Sequence, residues 1–79
     1  MEWKAGHPRW VQITDRLEED IRVGVYAPGE RIPSVMRLTE EYRVAMATAR
    51  KALRGLRDRG LIVTLPHRGS YVKEPTPER

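Results

Sequence analysis

Apolar residues at Trp10, Ile13, Leu17 and Ile21 recur at intervals of three and four, which places them on one stripe of a helix. Asp15, Glu18, Glu19 and Arg22 fall on its other faces. The helix follows His7-Pro8, and Gly24 stands where a left-handed residue commonly ends one. Pro28-Gly29 marks a turn in the stretch that follows, with Tyr26 apolar enough to tuck beneath it. Ser34, after Ile32-Pro33, suits the N-cap of a second helix from Val35 to Tyr42 with Val35, Leu38 and Tyr42 on its inner side. Arg37 occupies the place where Glu or Gln would complete a capping box. A helix this short holds only when packed against neighbours.

A third helical pattern follows the link Arg43-Val44 and should end near Arg59, with Gly60 beyond it. Ala49, Ala52, Leu53 and Leu56 share its inner face, while Arg50, Lys51, Arg54 and Arg57 cover the others. Gly55 inside this helix costs about 1 kcal/mol relative to alanine, and the small residues at 49, 52 and 55 would let another helix approach closely. Leu61–Leu65 is rich in β-branched residues, Pro66-His67-Arg68-Gly69 supplies a turn with Gly69 as its positive-φ residue, and Ser70–Lys73 reads as a second strand. The expected fold is mainly α with a small β-hairpin, three helices followed by a two-stranded wing. Residues 1–7 form an N-terminal extension, 8–73 a winged helix-turn-helix domain and 74–79 a disordered tail with two prolines.

The chain has 79 residues and no cysteine, which excludes disulfides and thiolate metal sites. His7 and His67 are too far apart in sequence to suggest a metal ligand pair, and no cofactor or metal is expected. The acidic runs Glu18-Glu19-Asp20 and Glu40-Glu41 point in different directions along their helices, so nothing resembles a catalytic constellation. No apolar run spans a membrane and no secretory leader is visible, so the expected location is the cytoplasm. Charge sharpens the picture. The net charge is +4, yet residues 1–30 carry −2 and residues 31–79 carry +6, and between 43 and 73 eight cations face one acid, Asp58. A polyanionic partner for the second half is one reading, and a solvated basic face is the other.

The run from Gly24 to Val72 resembles the N-terminal DNA-binding domain of GntR-type bacterial transcription regulators. The resemblance is carried by Gly24, Pro28-Gly29, Ile32-Pro33-Ser34, Leu38, Tyr42-x-Val44, Thr48-x-Arg50-x-Ala52-Leu53, Gly60-Leu61 and Arg68-Gly69-Ser70-Tyr71-Val72. With the first helical stripe it covers about residues 8–73. Three positions depart from the usual pattern: Arg43 replaces the glycine common between the second and third helices, Ala45-Met46 replaces Ser/Thr-Arg at the start of the third, and Met36 replaces an arginine near the start of the second.

The resemblance implies a sequence-specific reader of double-stranded DNA, a repressor rather than an activator. In such a unit the third helix lies in the major groove with its first residues at the base edges. Ala45, Met46, Ala47, Thr48 and Arg50 are therefore candidate DNA contacts, with Met46 and Ala47 suited to thymine methyl groups. Ser34, Met36, Arg37 and Arg43 are candidates around the second helix, with Arg37 and Arg43 suited to phosphate. His67, Arg68 and Gly69 are candidates at the wing tip, where arginine suits the minor groove or flanking phosphates. Lys51, Arg54 and Arg57 read as solvated surface. Relatives usually carry an effector-binding domain after the wing, so this chain by itself is expected to answer no small molecule. A weak homodimer on an operator with repeated half-sites is the expected assembly. A protein–protein interaction module on the same scaffold, docking through Met36 and Met46, is the alternative. RNA binding is a third and weaker option, as no aromatic stacking platform is visible.

Overall fold

The computed structural model describes residues 2–74. Three helices, α1 (Arg9–Arg22), α2 (Val35–Tyr42) and α3 (Met46–Asp58), precede the antiparallel pair β1 (Ile62–Leu65) and β2 (Gly69–Val72). Each helix falls where the apolar spacing predicts it. Ser34 caps α2 by accepting the Arg37 N–H at 3.2 Å, and Gly24 takes the left-handed conformation just past α1, with φ of 93°.

The core joins all five elements through Ile13, Leu17, Ile32, Leu38, Tyr42, Ala49, Ala52, Leu56, Ile62 and Val72. Close approach of α1 to α3 depends on the small residues of α3. A β-carbon on Gly55 would stand 2.9 Å from Thr14 Oγ1 and 3.2 Å from Trp10 Cζ3, so the glycine's cost to the helix is offset by helix–helix packing. The fully buried Thr14 hydroxyl lies 2.8 Å from the Trp10 carbonyl and 3.1 Å from the Ala52 carbonyl, and can donate its single proton to either. Arg59, just beyond α3, clamps back onto α1 through Asp15 at 2.9 Å and Glu18 at 2.6 Å.

Two features extend the expected picture. The hairpin is not alone: Arg31 bridges Tyr71 on the free edge of β2. The Ile32 N–H donates to the Ser70 carbonyl at 3.0 Å and the Val72 N–H to the Glu30 carbonyl at 2.9 Å. This third strand segment has no alternation of its own, so periodicity could not find it. The wing is thereby tied to the start of α2. Strand bounds also shift by a residue, since Gly69 (φ 100°) pairs with Leu65 inside the ladder and His67 takes a positive φ of 62° in the turn.

The N-terminal segment is fastened to α1. Gln12 accepts the Lys4 N–H at 2.9 Å and donates to the Lys4 and His7 carbonyls at 3.1 and 3.0 Å. Trp3 packs against the core, and its ring carries the Arg9 guanidinium 5.0 Å from the centroid. The tail expected over 74–79 falls, from residue 75 onward, outside the described residues.

Candidate nucleic-acid interface

Arg43 ends α2 in the left-handed conformation, φ 55° and ψ 52°, which costs a non-glycine residue about 1–2 kcal/mol. That turn sets the angle between α2 and α3 and leaves the Arg43 side chain in solvent. Ala45 is the N-cap residue of α3, and its methyl group offers no acceptor to the first turn. The leading N–H groups of α3 therefore have no side-chain cap and are left to water or to an anion. Ala45, Met46 and Ala47 are exposed at this end and Thr48 is half-buried. Met36, near the start of α2, is 59% exposed and Met46 42% exposed, a large apolar presence for positions with no core role.

Between α3 and the wing runs a groove of about 350 Å³ with an apolar floor from Ile32, Pro33, Val35 and Leu53. Arg31, Arg50, Arg54 and Arg57 line it. Among the sequence candidates it brings together Ser34, Arg50 and Gly69, and an adjoining hollow joins Arg37 to Ser34 and Arg31. Met36, Arg43, Ala45, Met46, Ala47, Thr48, His67 and Arg68 line neither hollow; they sit at the helix starts and the wing tip. At the tip the Tyr71 hydroxyl donates to the Arg68 carbonyl at 2.9 Å, which fixes the turn backbone while leaving the Arg68 side chain exposed.

Sequence reasoning missed three lining residues. Arg54 and Arg57 read as solvated surface, yet with Arg50 and Leu53 they form one stripe at i, i+3, i+4 and i+7 that faces the wing. That spacing was available in the sequence. Arg31 had no such pattern, because its position depends on a pairing with β2 that only the fold reveals.

Arg16, Arg22 and Arg59 are each paired with carboxylates of α1. Hydrogen bonds that the Arg59 guanidinium donates to Glu18 and Asp15 hold it above its ordinary pKa. Among the described residues, Arg31, Arg37, Arg43, Arg50, Lys51, Arg54, Arg57 and Arg68 form no ion pair. Unpaired cations spread over two helices and a wing make a surface complementary to a polyanion.

The sequence model for bacterial regulatory proteins of the gntR family matches residues 10–72. The chain is 39% identical over 70 residues to the mannosyl-D-glycerate transport/metabolism system repressor MngR of Escherichia coli, covering 87% of this chain and 29% of that protein. It is 37% identical over 71 residues to the histidine utilization repressor of Klebsiella aerogenes, covering 90% and 30%. The chain thus spans less than a third of the length of these relatives. Among solved structures, a GntR family transcriptional regulator from Listeria monocytogenes superposes with a TM-score of 0.87 at 26% identity, over 92% of this chain and 64% of that one. The DNA-binding domain of AraR in complex with operator ORR3 gives 0.81 at 25% identity, over 91% and 87%.

Proposed function

The chain belongs to the gntR family of bacterial regulatory proteins, and from that premise we propose that it is the DNA-reading part of a transcription regulator, a repressor, acting on double-stranded DNA. The observation that carries this reading is the gathering of seven unpaired cations, Arg31, Arg37, Arg43, Arg50, Arg54, Arg57 and Arg68, around the exposed starts of α2 and α3, the groove and the wing tip. Repressors among the relatives and an operator complex among the structural neighbours support it.

In this arrangement the start of α3 enters the major groove. Thr48 and Arg50 supply polar contacts, Met46 and Ala47 apolar ones to thymine methyl groups, and Met36 approaches from α2. Ser34, Arg37 and Arg43 meet the phosphate backbone on one side, and His67, Arg68 and Gly69 meet the minor groove or its flanking phosphates. A single module of this size buries only about 600–1,000 Å² on DNA. Firm occupancy therefore calls for two copies on repeated half-sites.

The exposed Met36 and Met46 favour one competing reading, a protein-docking module on the same scaffold. Alanine substitutions separate the two. Under the DNA reading, Arg50→Ala and Arg68→Ala each weaken duplex binding several-fold in a fluorescence anisotropy titration. Under the docking reading those changes leave duplex binding untouched, and only Met36→Ala and Met46→Ala matter, for a protein partner.

A further inference from the structure

Arg31 is held by its backbone, and its side chain lies against the wing. Its bridge to Tyr71 ties its Cα to the edge of the wing, two residues before Pro33 and three before the Ser34 cap of α2. Its guanidinium lies against the backbone of Gly69: a β-carbon at that position would stand 2.8 Å from Nε, 3.0 Å from Nη2 and 3.2 Å from Cζ. Gly69 also has φ of 100°, a conformation side chains rarely adopt, so the seat is open for two independent reasons. From that seat Arg31 lines the groove shared with Arg50, Arg54 and Arg57, and also the hollow shared with Ser34 and Arg37. It forms no ion pair among the described residues. A permanently charged, planar donor lying between the start of α2 and the wing suits the oxygens of a phosphate passing between those elements.

We propose that Arg31 is a phosphate-contacting residue that couples the wing to the helix-turn-helix, and that Gly69 leaves room for its guanidinium. The inference rests on the DNA reading above and adds a contact that neither the motif nor the helix starts supply. Phosphate contacts carry no base information, so a duplex of fixed arbitrary sequence and two helical turns is a sufficient probe.

The test is the slope of log affinity against log salt concentration for that duplex. Removing one phosphate contact reduces the steepness of the slope by about 0.9. Arg31→Gln should show this loss with an unchanged melting temperature, and Arg31→Lys, which keeps the charge, should restore most of the slope. An Arg31→Gln chain that melts earlier but keeps the wild-type slope makes Arg31 a strut only and overturns the inference while leaving DNA binding intact. A wild-type chain with no salt-dependent binding overturns the DNA reading and this inference together.

Discussion

Arg43 concentrates the trade between fold and function in one residue. It stands where glycine would relieve a left-handed backbone, and its side chain projects from the turn beside the start of α3. Arg43→Gly should stabilise the chain by about 0.5–1 kcal/mol in chemical denaturation, the relief of strain being partly offset by a freer unfolded chain. If the guanidinium meets phosphate, the same change weakens duplex binding, so stability and affinity move in opposite directions. Tyr42 behaves differently, being 8% exposed. Burial, helped by Glu41 and Asp20, pushes its phenol up to about 12. The unfolded phenol titrates near 10, so the neutral form favours the fold. That contribution is complete below about pH 10 and is lost as the pH rises toward 12. Melting curves across this window should fall less steeply for Tyr42→Phe than for the wild-type chain. Residue-level legibility was uneven. Ser34, Arg50 and Gly69 were visible as motif positions, whereas Arg31 was not, because a single arginine in a loop carries no period.

The helices were legible because each must bury a stripe, and the stripes at Ile13/Leu17, Leu38/Tyr42 and Ala49/Ala52/Leu56 repeat at helical spacing. The small-residue face of α3 also announced a close neighbour, and α1 occupies it. Gly55→Ala tests that packing. Helix propensity alone predicts a gain of about 1 kcal/mol. The short approach to Thr14 and Trp10 predicts instead a net loss of about 1–3 kcal/mol, read as an earlier denaturation midpoint. The wing was only half legible. Its two strands have composition and turn chemistry behind them, while the Glu30–Ile32 segment joins by backbone bonds alone. Backbone pairing without side-chain alternation leaves no trace in sequence. The same reasoning explains Arg54 and Arg57, whose place in the groove depends on the wing lying over an otherwise ordinary basic stripe of α3.

At the scale of the whole molecule, the uneven charge seen along the sequence becomes a difference between faces. Carboxylates of α1 neutralise Arg16, Arg22 and Arg59, while Arg31, Arg37, Arg43, Arg50, Arg54, Arg57 and Arg68, at the helix starts, groove and wing, form no ion pair among the described residues. No helix among the described residues is long and apolar enough to cross a membrane. The central claim is that this face binds the phosphate backbone of duplex DNA. The measurement that tests it most directly is the affinity of the wild-type chain for a duplex as salt is raised. Each phosphate neutralised contributes about −0.9 to the slope of log affinity against log salt. The basic face predicts a steep negative slope, the sum of several such contacts. Affinity that stays flat across the same range would contradict it.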